Sequence, residues 1–65
     1  MLTSERHSLI LPRLAREGSI SASSLMEPLQ ASVSTIRRDL ETLERKNLLK
    51  RVHGGAMLIR PDRIA

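Results

Sequence analysis

A chain of 65 residues makes one domain that buries only about 60% of the surface its unfolded form exposes, so its margin of stability is small. It has no cysteine, which excludes disulfides and thiolate zinc sites, and no aromatic residue, which removes the stacking platforms of single-stranded nucleic-acid sites and the anchors of membrane-surface helices. The net charge of +4 is carried by residues 33–65, where eight basic side chains stand against four acidic ones; that half reads as the footprint of a polyanion, and duplex DNA is the candidate left.

Thr3 or Ser4 is placed to cap a first helix that runs to about Arg16 and stops at Gly18. Leu9, Ile10 and Leu14 share one face, with Leu2 or the stem of Arg13 to complete it. Pro12 falls inside this helix, where it removes the hydrogen bond to residue 8 and costs up to about 3 kcal/mol, so the expectation is a kink or a helix broken in two. Ile20 reads as a lone buried residue in a short extended segment able to add a strand beside a later hairpin. Ser21 then caps a second helix, Ala22 to Leu29, with Leu25, Met26 and Leu29 facing inward and Met26 read as core filler. Pro28 sits near its end. Gln30 and Ala31 lead to Ser32, and Gln30 lacks the freedom of the glycine that such turns often carry.

The third helix, residues 33–46, carries the most information. On a wheel of about 100° per residue, Ile36, Leu40, Leu43 and Val33 form one apolar stripe, while Ser34, Arg38, Glu41 and Arg45 lie opposite, with Thr35 and Arg37 on the flanks. Ser32 suits the N-cap, accepting from the N–H of Ser34 or Thr35, and Asn47 suits the left-handed position after the last turn. A solvated surface helix would show the same period, since Arg37/Glu41 and Glu41/Arg45 are ordinary i,i+4 pairs. The order of residue types argues for more. Small hydroxyl side chains occupy the first turn, where a helix tip meets bases and phosphates, and two adjacent arginines follow, each able to pair bidentately with guanine or phosphate.

After Asn47 the period changes. Leu48 to Val52 reads as a strand, Gly54 and Gly55 as a turn with positive φ at both positions, and Ala56 to Ile59 as the return strand. A two-residue loop then sets His53 opposite Ala56, Val52 opposite Met57 and Arg51 beside Leu58, a register that mixes polar and apolar side chains on one face. Pro61 ends the hairpin, leaving a loose tail at residues 61–65. The fold class expected is mainly α: a three-helix winged helix-turn-helix over residues 1–60 with a C-terminal two-stranded β-hairpin wing.

The run TIRRDL from Thr35 to Leu40, then Leu43 and Glu44, then LLKRVHGGA from Leu48 to Ala56, resembles the amino-terminal DNA-binding domain of the DeoR family of bacterial transcriptional regulators. Arg6, Leu9, Ile10, Leu14 and Gly18 extend the resemblance over nearly the whole chain. It departs from the family pattern at Gln30, Ala31 and Asn47, where Gly, Val and Gly are usual, and at Pro12 and Pro28. The resemblance implies a third helix that reads the major groove, usually in repressors of sugar or nucleoside metabolism genes. It also implies a larger carboxy-terminal domain that binds a phosphorylated sugar and assembles homo-oligomers. The sequence ends before such a domain and is expected to be the DNA-binding module of a longer, cytoplasmic protein.

The expected DNA contacts are Ser32, Ser34, Thr35, Arg37 and Arg38 from the helix and Lys50, Arg51 and His53 from the wing. Arg38 is assigned to a base edge and Arg37 to a phosphate, with the reverse open. Ser34 and Thr35 meet bases or phosphate, and Ser32 caps and touches the backbone. The wing residues lie on the DNA backbone or in the minor groove, although His53 also reads as a locally hydrogen-bonded turn residue. Asp39 is expected to orient an arginine or to pair within the fold, because phosphate repels a carboxylate. His7 and His53 have no partners at metal-ligand spacing, no nucleophile accompanies a positioned base, and no glycine-rich phosphate loop is present, so neither cofactor nor catalysis is expected. There is no signal-like start and no apolar run of membrane-spanning length. The reading from another class is a winged-helix protein-interaction or dimerisation module.

Overall fold

The computed structural model describes residues 1–59. The elements in order are α1 (Thr3–Glu17), β1 (Ser19–Ser21), α2 (Ala22–Leu29), α3 (Val33–Arg45), β2 (Lys50–Val52) and β3 (Gly55–Met57). The tail expected at residues 61–65 and the stop at Pro61 lie outside the described residues.

Helix α1 starts one residue earlier than a hydroxyl cap would place it. Its N-cap is Leu2, which has no side-chain acceptor; the Leu2 N–H instead donates to Glu5 Oε1 at 2.6 Å. That carboxylate also lies at the positive end of the helix dipole. The helix continues past Pro12 without breaking in two. Ile10 and Leu14 on either side of the proline are fully buried, while Pro12 and Ser8, whose carbonyl loses its donor, are both exposed, so packing holds the helix across the defect. Leu9 does not face inward: it is half exposed, as is Met1, and Leu2 is more exposed still. Leu11 instead packs partly against the core. Gly18, with φ 83°, closes the helix by donating to the Leu14 carbonyl at 2.7 Å.

Helix α2 is capped by Ser21, whose Oγ accepts from the Ser24 N–H at 3.2 Å. Ala22, Leu25 and Leu29 are buried, whereas Met26 is exposed rather than filling the core. At its end Gln30 adopts the left-handed conformation, φ 51° and ψ 48°. Its N–H donates to the Glu27 carbonyl and that of Ala31 to the Met26 carbonyl, both at 3.1 Å, the paired closure of a Schellman motif. Helix α3 closes the same way, with Asn47 left-handed at φ 61° as expected; its last helical residue is Arg45 rather than Lys46, which is the C-cap. Asn47 N–H donates to Glu44 at 2.8 Å and Leu48 N–H to Leu43 at 3.0 Å.

The strands form one antiparallel sheet in the order β1-β3-β2, so Ile20 does bring a third strand to the hairpin. The hairpin register differs from the expected one. The turn is His53–Gly54 rather than Gly54–Gly55, Val52 pairs with Gly55, Arg51 with Ala56 and Lys50 with Met57, and the strands are three residues long. Among these residues only Gly54 has positive φ, 79°. Gly55 is needed elsewhere. β3 is the middle strand, Gly55 lies opposite Ser21, and a Cβ there would overlap the Ile20 carbonyl oxygen. The N–H of Ala22 donates to the Gly54 carbonyl at 2.8 Å, and that of Leu58 to the Gly18 carbonyl at 2.9 Å, tying the wing to β1 and the start of α2.

The core takes Ile10 and Leu14 from α1, Leu25 and Leu29 from α2, Ile36, Leu40 and Leu43 from α3, and Ile20, Leu49 and Ala56 from the sheet region. No helix among the described residues is long and apolar enough to cross a membrane.

Two substitutions test this backbone account by denaturant unfolding. Gly55→Ala is expected to destabilise the domain by about 2 kcal/mol or more, because the neighbouring backbone has to move. Gln30→Gly is expected to stabilise it by about 0.5–1 kcal/mol by relieving a left-handed residue that carries a side chain.

Candidate nucleic-acid interface

The buried stripe of α3 determines what its other side presents. With Ile36, Leu40 and Leu43 turned into the core, Arg38 projects almost opposite them and Ser34 lies one turn ahead of it, while Arg37 sits on a flank. Ser34, Arg37 and Arg38 are exposed. Among the described residues none of these three side chains makes a hydrogen bond, and neither arginine makes an ion pair. The i,i+4 pairs that a solvated surface helix would form, Arg37 with Glu41 and Glu41 with Arg45, are absent from the described residues. Arg45 Nη2 donates instead to Thr42 Oγ1 at 3.5 Å, and Thr42 Oγ1 donates to the Arg38 carbonyl at 3.1 Å.

Ser32 and Thr35 are engaged with one another. Ser32 Oγ accepts from the Thr35 N–H at 3.3 Å and donates to Thr35 Oγ1 at 3.2 Å. The first turn thus holds one hydroxyl pair that shapes the helix tip and one free hydroxyl, that of Ser34.

Asp39 points the other way. It is 3% exposed and accepts from Arg6 Nε at 2.5 Å and from Arg6 Nη2 at 3.1 Å, with His7 Nε2 3.3 Å from Oδ1. The hydrogen bond to Asp39 raises the Arg6 guanidinium above its ordinary range, desolvation opposes this, and the charge of Asp39 adds to it, so Arg6 stays cationic throughout. Arg6 and His7 were not legible as partners, because they lie more than thirty residues from Asp39 in sequence. The usable signal is in α3 itself, which has no cation one turn either side of Asp39.

Lys50, Arg51 and His53 are exposed on the wing, but they do not form one cluster. Successive strand residues face opposite sides, so Arg51 shares a row with buried Ala56 and Ile20, whereas Lys50 shares one with Met57 and Ser19. The Arg51 N–H donates to Glu44 Oε2 at 3.0 Å, which satisfies the sheet edge and fixes β2 to the end of α3. The His53 ring makes no hydrogen bond among the described residues, so the local turn contact expected as an alternative is not formed there. A hollow of about 250 Å³ between α1 and α2, lined by Leu9, Pro12, Arg13 and Leu25 among others, contains none of the candidate residues.

Residues 6–62 match the family model described as a DeoR-like helix-turn-helix domain. The chain is 52% identical over 56 residues to the HTH-type transcriptional regulator FruR of Bacillus subtilis (strain 168), covering 86% of this chain and 22% of that protein. It is 41% identical over 58 residues to the glycerol-3-phosphate regulon repressor of Escherichia coli (strain K12), covering 89% of this chain and 23% of the repressor. With the L-fucose operon activator of Haemophilus influenzae it shares 46% identity over 52 residues, covering 80% of this chain and 21% of the activator. The chain therefore spans less than a quarter of the length of these relatives. No solved structure matches it significantly.

The two serines of the helix tip should separate by stability. Ser32→Ala is expected to cost about 1 kcal/mol through loss of the cap, and Ser34→Ala less than about 0.5 kcal/mol, both read from unfolding midpoints.

Proposed function

The chain belongs to the DeoR family of helix-turn-helix transcriptional regulators, and from that premise we propose that it docks its regulator on duplex DNA with α3 in the major groove. One observation carries this reading: the first two turns of α3 present Ser34, Arg37 and Arg38 unpaired among the described residues, while the carboxylate beside them, Asp39, is buried and compensated from α1. A helix face that leaves two guanidiniums without partners and withdraws its nearest anion suits a polyanion.

Arg38, at the centre of the outward face behind Ser34, takes the base edge, and Arg37 on the flank takes a phosphate. Ser34 reaches a base or the backbone. Ser32 and Thr35 act at the tip, where their mutual hydrogen bond orders the turn that meets phosphate. On the wing, His53 at the turn and either Lys50 or Arg51 reach the DNA backbone or the minor groove, since a single approach does not engage both faces of the sheet.

Relatives whose names refer to a glycerol-3-phosphate regulon and an L-fucose operon support a role in sugar-related gene control. One is named a repressor and the other an activator; we assign this chain to repression, the usual mode that the family resemblance implies. The whole regulator acts in the cytoplasm, as a homo-oligomer built by a further domain, because two half-sites are normally read by a dimer. The protein-interaction alternative would require an acidic partner to engage the unpaired arginines of α3.

The reading is tested by titrating two duplexes, one enriched from a random library by this chain and one scrambled, at several salt concentrations. Arg38→Ala should weaken binding to the enriched duplex by about 1–3 kcal/mol and relax its sequence preference. Arg37→Ala should weaken binding to both duplexes alike, with a salt slope smaller by about one. If neither substitution changes either affinity, α3 is not the reading element.

A further inference from the structure

We infer that Arg6 is a positioning residue for the reading helix: through a two-pronged hydrogen bond to Asp39 it sets the rotation of α3 on α1, and so the direction in which Arg37 and Arg38 point. This rests on the DNA-binding reading above and adds to it a residue outside the helix-turn-helix.

Among the described residues Asp39 is the one charged side chain that is buried. Its own helix offers no counter-ion, because the residues one turn away are Thr35, Ile36, Thr42 and Leu43. Compensation comes from α1, where Arg6 Nε and Nη2 engage the two carboxylate oxygens and His7 Nε2 lies beside one of them. The guanidinium is held in turn by its other contacts, with Nη1 donating to the Met1 carbonyl at 3.1 Å and Nη2 to Thr3 Oγ1 at 3.2 Å.

Stability alone does not call for such a pair. Desolvating two charges offsets much of their attraction, and apolar side chains of similar volume would join α1 to α3 as well or better. What apolar contacts lack is direction. A planar guanidinium on a carboxylate admits one geometry, whereas leucine on methionine tolerates sliding and rotation. Asp39 directly follows Arg38 and lies on the flank between the buried stripe and the outward face. A rotation of α3 by about 20° moves a side-chain tip at a radius of ~5–6 Å by about 2 Å, more than a bidentate base contact tolerates.

The test compares Arg6→Lys, which keeps the charge and loses the fork, and the apolar double variant R6M/D39L with the unaltered chain. The first readout is the ratio of affinities for the library-enriched and scrambled duplexes. The second, taken without DNA, is the orientation of α3 relative to α1 from amide residual dipolar couplings. Both variants are expected to lower the ratio by about tenfold or more and to show a rotated α3, with an unchanged salt slope on the scrambled duplex. A ratio within about twofold of the unaltered chain, or an unchanged orientation, overturns the inference. So does a salt slope smaller by about one in R6M/D39L, which would place Arg6 on a phosphate. Should the double variant not fold, Arg6→Lys carries both readouts. If the unaltered chain prefers no duplex, the DNA-binding reading fails while the couplings still decide the positioning claim.

Discussion

Burial of Ile36, Leu40 and Leu43 is the constraint on which the rest depends. In a domain of this size without an aromatic ring, no single side chain is large enough to fill the centre, so each helix has to contribute aliphatic groups to one shared core. For α3 that demand determines its orientation. Three apolar residues on one stripe leave the opposite side committed to solvent, and Ser34 and Arg38 are there because of what lies behind them.

The connections place α3 where this orientation has an effect. Gln30 and Asn47 both adopt left-handed backbone, one before α3 and one after it, and both sites close with paired Schellman hydrogen bonds. The helix is thus bounded by two sharp reversals. Its end is further tied to the wing, since Glu44 accepts from the edge strand at Arg51. The wing in turn is no independent hairpin: its middle strand pairs with β1, and its turn carbonyl accepts from the first residue of α2. A shift in the wing therefore reaches both helices of the helix-turn-helix.

What the sequence disclosed follows from the range of the interactions involved. The caps at Ser21 and Ser32, the left-handed Asn47, the stripe of α3 and the extended segment at Ile20 depend on residues within a turn or two, or on a period that a wheel displays. Leu9 and Met26 lie in solvent although their spacing points inward, because periodicity ranks positions around a helix without saying how wide the neighbouring surface is. In a core this small the buried stripe is narrow, and residues on its edge remain in solvent. The hairpin register departs from the local pattern for another reason. Gly55 looks like half of a glycine turn, yet its role is set by β1, more than thirty residues earlier, whose backbone comes too close for a side chain. The partners of Asp39 were hidden by the same distance, although its need for one was visible. The assignment of DNA contacts to particular residues rests on residue type and order, to which the structure adds the exposure of Ser34, Arg37 and Arg38.

The same long-range pairing changes how the charge of the molecule is to be counted. By sequence, the second half carries four acids against eight bases, and the first half is neutral. In space, Asp39 is withdrawn from the surface and answered by Arg6, a base belonging to the neutral half. Glu44 is partly buried and occupied by the β2 backbone. Of the acids on α3, Glu41 alone remains exposed, two turns behind the helix tip. The first turns of α3 consequently face outward with cations and hydroxyls and no competing carboxylate, so the field at this outward face is more positive than a residue count assigns to it. Because attraction to a phosphate backbone depends on the charges within about a Debye length rather than on the total, a polyanion approaching α3 would meet this local excess rather than the net charge of the chain.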